Sequence, residues 1–307
     1  MHIPDNFLSL IVSIFAWLLT AALVGFAVSK TNQSLGEKQI PLMGVMAAFI
    51  FAAQMINFPV LGGTSGHLLG GALAAIVLGP WAGILVMTAV IAVQALLFQD
   101  GGLVVMGANI LNMGIVTAVI GYGLYRGAEK QPKPIQLAVT GFAAWLSVMA
   151  AALLTALQIW LSGNASIFVI LPAMLFVHTL IGLGEALITV AALSFILQTR
   201  PDLLGEDSES ANASRHWVWI GGLVALVVVI ASPLASSNPD GLERVAIDTG
   251  FMRLASSSPY ELIPDYTLPF FGETALSTVV SGVIGIAVVA VIVTLVGRGL
   301  KAASRKP

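Results

Sequence analysis

The chain has 307 residues, 58% of them hydrophobic and only 9% charged, with a mean hydropathy of +0.96. Such a composition cannot make a water-soluble surface, so lipid must be the solvent for most of the molecule. A formal net charge of -2 with no basic stripe excludes nucleic acid as a partner, and zero cysteines exclude disulfides and thiolate metal sites, leaving nitrogen and oxygen ligands.

Nine apolar stretches follow in chain order, at roughly 8–29, 40–58, 64–79, 81–98, 103–125, 135–161, 167–197, 217–236 and 275–297. Most are long enough to cross a bilayer, which takes about 20 helical residues. The reading is an all-α integral membrane protein, a polytopic helical bundle with about nine membrane segments. The third stretch is short and glycine-rich (Gly62, Gly63, Gly66, Gly70, Gly71), so it is expected to pack inside the bundle or to be partly re-entrant.

Positive charge sets the orientation, because Lys and Arg gather in short cytoplasmic loops. With the N-terminus outside and the C-terminus cytoplasmic, the inner face holds Lys30, Lys38, Arg126, Lys130, Lys133, Arg200, Arg215, Arg298, Lys301, Arg305 and Lys306. Only Arg244 and Arg253 then fall outside.

Two regions break the apolar pattern. Residues 198–216 are polar, acidic and Ser-rich, as a flexible connection is. A cytoplasmic linker is therefore placed at 201–216, between a membrane domain of about seven segments at 1–200 and a second module at 217–307. In that module two transmembrane helices flank an external loop at 236–273, with the turn-forming run Asn238-Pro239-Asp240-Gly241.

The N-terminus carries the chemistry. It lacks the positive n-region and cleavage site of a secretory signal, and a bulky His2 behind it is expected to preserve Met1. A free Met1 amine, the deprotonated His2 amide and the His2 imidazole fill three corners of a plane, an arrangement suited to Ni(II) or Cu(II) and unsuited to Mg(II) or Ca(II). His67, expected on the same face, is the candidate fourth ligand. The bland alternatives are an exposed terminal histidine and a carbonyl-bonded intramembrane one.

Other polar residues are assigned supporting roles. His178 and Glu185, seven residues apart in the seventh stretch, share one helix face, and a carboxylate at that depth needs a partner or a polar cavity. Asn109 and Asn112 are weaker candidates of the same kind. Asp5 either balances charge at the chelate or caps a helix starting near Asn6, the cap being preferred. His216 is expected at a membrane edge.

Met1-His2-Ile3-Pro4-Asp5, Gly66-His67-Leu68-Leu69-Gly70-Gly71, Gly107-Ala108-Asn109 and the run from His178 to Thr189 resemble the CbiM/NikM substrate-capture components of cobalt/nickel energy-coupling-factor transporters. The resemblance covers about residues 1–200 and implies a metal site of Met1, His2 and His67. One departure is Asn6, where the family often has glycine. Pro239-Asp240-Gly241-Leu242-Glu243 and Gly250-Phe251 resemble the small accessory component of the same transporters, here fused behind the first.

The resemblance implies capture of Ni2+ or Co2+ at the outer face of a bacterial or archaeal cell membrane, with nickel slightly favoured. It further implies transport linked to cobalamin biosynthesis, no prosthetic group, a transmembrane coupling protein and separate cytoplasmic ATPase subunits. The chain itself contains no G-x-x-x-x-G-K-[ST] run and is read as having no enzymatic activity of its own. A stand-alone metal channel or secondary transporter is the alternative. An intramembrane metalloenzyme is disfavoured, because H-E-x-x-H is missing and His178 to Glu185 has the wrong spacing.

Overall fold

The computed structural model describes residues 1–36, 39–199, 216–256 and 258–304. Apart from the backbone of His216, the expected linker at 201–216 lies outside the described residues, as do Lys38, Arg200, Arg305 and Lys306 of the charge pattern.

The first helix, α1 (Leu10–Ser34), buries Ser13, Ala16, Thr20, Ala27 and Thr31 and turns Leu10, Ile11, Phe15 and Leu18 outward. Small residues inside and large apolar ones outside is the pattern of a helix packed against protein on one side and lipid on the other. The same logic shapes α8 (Ile167–Thr199). It buries Met174, His178, Ile181, Gly182, Glu185 and Thr189 on one stripe and exposes Phe168, Phe176 and Leu187. His178 and Glu185 thus share a buried face, as their spacing requires.

Between these helices lie α2 (Gln39–Gln54), α3 (Gly71–Leu78), α4 (Pro80–Val93), α5 (Met106–Asn109), α6 (Thr117–Ala128) and α7 (Lys133–Leu161). Two of the junctions are π-helical. Gln94–Phe98 continues α4, and Ile110–Val116 joins α5 to α6. Such wide turns redirect side chains and recur at functional sites. Seven helices among the described residues are long and apolar enough to cross a membrane, which makes this a multi-pass membrane protein. The expected nine segments are not matched by helix length, since α2 has 16 residues and α3 only eight.

The third stretch is shortened because its glycine run does not continue as helix. Gly62 and Gly63, both at positive φ, turn a hairpin between β1 (Phe58–Val60) and β2 (Thr64–Gly66), with Phe58 opposite Gly66. A further left-handed glycine, Gly70, precedes α3, all eight of whose residues are buried. His67 therefore sits in a bend between a strand and a helix.

The second module contributes α9 (His216–Ala231), the short α10 (Gly241–Thr249) and α11 (Ala275–Ser304). Its residues Val229, Leu242, Val245, Val289 and Val293 join the same buried cluster as Met1, Ile3 and Phe7 of the first module. Close helix approach makes this possible: a Cβ on Gly44 of α2 would stand 2.8 Å from the Thr294 hydroxyl of α11.

Candidate metal site

The N-terminal segment is not helical and not exposed. Met1, His2 and Ile3 are 4%, 7% and 0% exposed. Asn109 holds this segment by both ends of its side-chain amide, the oxygen accepting from Ile3 N–H at 2.8 Å and the nitrogen donating to the Ile3 carbonyl at 3.1 Å. Gly102 N–H donates to the same carbonyl at 2.9 Å.

The preferred role for Asp5 is corrected by the structure. Asn6 takes φ +70, a left-handed conformation that asparagine tolerates and that keeps a helix from starting there. The helix begins at Leu10, with Ser9 as its cap. Asp5 instead accepts from three successive backbone N–H groups, of Leu103, Val104 and Val105, at 2.9 to 3.2 Å. Glycine's place in the family pattern at Asn6 is explained by the same positive φ.

The terminal amine lies 2.6 Å from His67 Nε2 and donates to Asp240 Oδ2 at 2.7 Å. His67 Nδ1 faces the Leu68 carbonyl at 2.9 Å, which fixes its proton there and leaves the Nε2 lone pair toward the amine. Burial, then the charges of the terminus and His2, holds the His67 imidazole far below its ordinary value, at about 3, so it stays neutral. The His2 and His67 rings stack with centroids 5.2 Å apart. His2 Nδ1 stands 3.0 Å from Asp100 Oδ1 and Nε2 3.2 Å from Gln94 Oε1. Two nitrogens bound side by side to one ion, each at about 2 Å, are separated by roughly 2.8 Å, so the Met1 and His67 nitrogens already stand near that spacing.

Among the described residues no three His, Cys, Asp or Glu side chains form a metal cluster.

Glu185 and His178 approach from α8. The Glu185 carboxylate accepts from Leu69 N–H at 2.6 Å and Gly70 N–H at 2.9 Å, tying down the bend that carries His67. His178 Nδ1 donates to the Met174 carbonyl at 2.8 Å, while Nε2 has no hydrogen-bond partner among the described residues. It packs beneath Gly241, where a Cβ would stand 3.1 Å from Nε2 and 2.6 Å from Ile181 Cδ1. Asn112 is not brought to the terminus. It pairs with Gln158 and Thr155 of α7 and serves to hold two helices together.

Sequence reasoning missed four neighbours: Asp240, Asp100, Gln94 and Tyr266. Asp240 caps α10 in a reciprocal box with Glu243. The residues before it pair with β2: Ser65 N–H donates to the Pro239 carbonyl at 2.9 Å and Ser65 Oγ to the Asn238 carbonyl at 2.8 Å. Burial pushes the Asp240 carboxyl up, but the terminal ammonium, by its charge and its hydrogen bond, outweighs it and with the Glu243 N–H holds the group well below the usual carboxylate range. Asp100 is likewise held low, burial being overcome by His2 and by hydrogen bonds from His2 and Tyr266.

His2 and these carboxylates border a cavity of about 240 Å³ lined also by Asp5, Glu243, Glu261 and Asp265. Burial and mutual repulsion raise Glu243 and Asp265, the sign of a strongly negative local field. Such a field concentrates cations.

Residues 2–203 match the family model described as cobalt uptake substrate-specific transmembrane region, and residues 215–302 match the PDGLE domain. The chain is 37% identical to the fused NikMN protein of Archaeoglobus fulgidus, over 94% of this chain and 95% of that protein. It is 29% identical to the fused nickel transport protein NikMN of Rhodobacter capsulatus, covering 100% of this chain and 99% of the relative. A crystal structure titled as a truncated transition metal transporter superposes with a TM-score of 0.59 at 33% identity, covering 64% of this chain and 99% of that one. The chain thus belongs to the cobalt uptake substrate-specific transmembrane family and carries a PDGLE domain fused behind it.

Proposed function

We propose that this protein captures Ni2+ or Co2+ at its N-terminus and passes it across the membrane as the substrate-specific component of an ATP-driven energy-coupling-factor transporter. The observation that carries the reading is the buried Met1 amine 2.6 Å from His67 Nε2, with His2 stacked beside it. Once both the amine and the His2 amide have lost a proton to solvent, they join the His2 imidazole and His67 to give four nitrogen donors, the set that planar Ni(II) favours. Asp5, Asn109 and Glu185 keep the donors in place by holding the backbone on either side. His178 supports the site by seating Gly241. Relatives named for nickel transport and for cobalt transport agree with either ion as cargo.

The organisation proposed is a capture domain at 1–200, a linker at 201–216 and an accessory module at 217–307 whose loop at 236–273 closes over the site. The N-terminus is placed outside and the C-terminus in the cytoplasm of a bacterial or archaeal cell. A transmembrane coupling protein and two cytoplasmic ATPase subunits supply the energy, and the chain itself performs no catalysis. Cargo release then requires the N-terminal segment to leave its contacts with Asn109 and His67.

The test is nickel uptake into vesicles holding this chain with and without the coupling and ATPase proteins. ATP-dependent uptake only in their presence supports the reading. Equal uptake by the chain alone would establish a channel or secondary transporter instead.

A further inference from the structure

The accessory module reaches the capture histidine at a second place, distinct from the PDGLE run. Asp265 and Tyr266 both take positive φ, +50 and +58, two successive left-handed residues that are not glycine. Such a conformation persists only where surrounding contacts enforce it. Here the Tyr266 ring stacks on Phe98 at 4.8 Å and meets Phe51 edge-on at 6.0 Å. The strand around it is tied to the end of α4, with Ile263 N–H donating to the Leu97 carbonyl at 3.1 Å and the Tyr260 hydroxyl to the Leu96 carbonyl at 2.9 Å.

The backbone so held delivers the Tyr266 hydroxyl to two groups at once. It donates to Asp100 Oδ2 at 2.7 Å and accepts from Gln94 Nε2 at 3.3 Å. The other ends of those two side chains, Asp100 Oδ1 and Gln94 Oε1, meet His2 Nδ1 and Nε2. Four side chains from three distant parts of the sequence thereby close a hydrogen-bonded circuit around one imidazole. With the Gln94 amide nitrogen turned to Tyr266, its carbonyl faces His2 Nε2, while the Asp100 carboxylate holds Nδ1, the nitrogen able to close a chelate with its own backbone amide once the ion displaces that contact.

We infer that Tyr266 is a positioning residue of the capture site: by locking Gln94 and Asp100 it fixes the plane and orientation of the His2 ring, so that the ion has only to displace the Asp100 contact to reach Nδ1. The accessory module thus completes the metal site by hydrogen bonding and not only by covering it. This rests on the proposed capture function. Outer-shell partners that orient a ligating imidazole are typically worth about 10- to 100-fold in metal affinity.

The experiment is Ni2+ titration of the full chain, comparing the parent with Tyr266→Phe, Gln94→Leu and the double variant, with thermal unfolding followed for each. Phenylalanine keeps the stack on Phe98 and removes only the hydroxyl. The expected result is a tenfold or greater loss of nickel affinity in Tyr266→Phe at unchanged unfolding temperature, unchanged stoichiometry and unchanged d–d absorption of the bound ion. The double variant should lose markedly less than the product of the single losses, since both break one circuit. Parental affinity in Tyr266→Phe, or independent multiplying effects in the double variant, overturns the inference. A chain lengthened by one residue before Met1 separates the two levels. If lengthening abolishes binding while Tyr266→Phe has no effect, only the inference fails; if lengthening has no effect, the capture reading fails and takes the inference with it.

Discussion

The ammonium of Met1 donates to Asp240 Oδ2 at 2.7 Å, an ion pair between residues 239 positions apart that joins the start of the chain to the accessory module. Their side chains are only 2% and 13% exposed, so the pair is buried, and a buried charge deprived of its partner is costly. Asp240→Asn is informative because asparagine caps a helix as well as aspartate does. It should leave α10 intact and weaken docking of the N-terminal segment by about 1.5–3 kcal/mol, the worth of a hydrogen bond to a charged group. Hydrogen exchange at the Ile3 amide, which donates to Asn109 in the docked segment, measures this, and unchanged protection there would show the pair to be inert.

Much of the site is legible in the sequence because its core is local chemistry. A terminal amine next to His2 is a chelate wherever the terminus lies, and His67 stands out as a polar residue in an apolar, glycine-rich run. Asp240, Asp100, Gln94 and Tyr266 are illegible for the opposite reason. They sit in loops or at a π-helical turn, where no periodicity says which distant residue they meet. Asp5 shows a finer failure. Its residue type suits a helix cap, but the left-handed turn at Asn6 stops a helix there and the structure places the cap at Ser9. Helix positions followed well from apolar run length, except where glycines Gly62, Gly63 and Gly70 at positive φ broke the third run into hairpin and short helix.

Acid should loosen the N-terminus in two stages. The His67 imidazole in the folded protein binds its proton only near pH 3, against about 6.5 when released. Between these values the released form holds more protons, so the docked form is fully favoured above about pH 6.5 and loses ground as pH falls toward 3, by at most about 1.4 kcal/mol per unit. Asp100 and Asp240, both depressed, contribute stability present above their ordinary values and lost as pH drops below about 4. Exchange protection of the Ile3 amide, corrected for the intrinsic rate, should therefore be lower at pH 5 than at pH 8. Equal protection at both would contradict the assigned neutrality of His67.

Glu185 is the anchor of the His67 bend, through the amides of Leu69 and Gly70. Glu185→Ala strands two buried donors, each at about 1–3 kcal/mol. The variant should unfold at clearly lower temperature and bind nickel more weakly, because the displaced segment carries His67, the proposed fourth nitrogen donor. Glu185→Gln retains one acceptor and should fall between the two. Wild-type unfolding in Glu185→Ala would remove this carboxylate from the account.

Nickel binding by the purified full chain, set against a version lengthened by one residue ahead of Met1, addresses the central claim most directly. Every side chain is kept, and only the terminal amine is moved from its place 2.6 Å from His67 Nε2. The account predicts that stoichiometric Ni2+ or Co2+ binding collapses in the lengthened chain. Binding of equal affinity in both would place the metal elsewhere and contradict the N-terminal chelate outright.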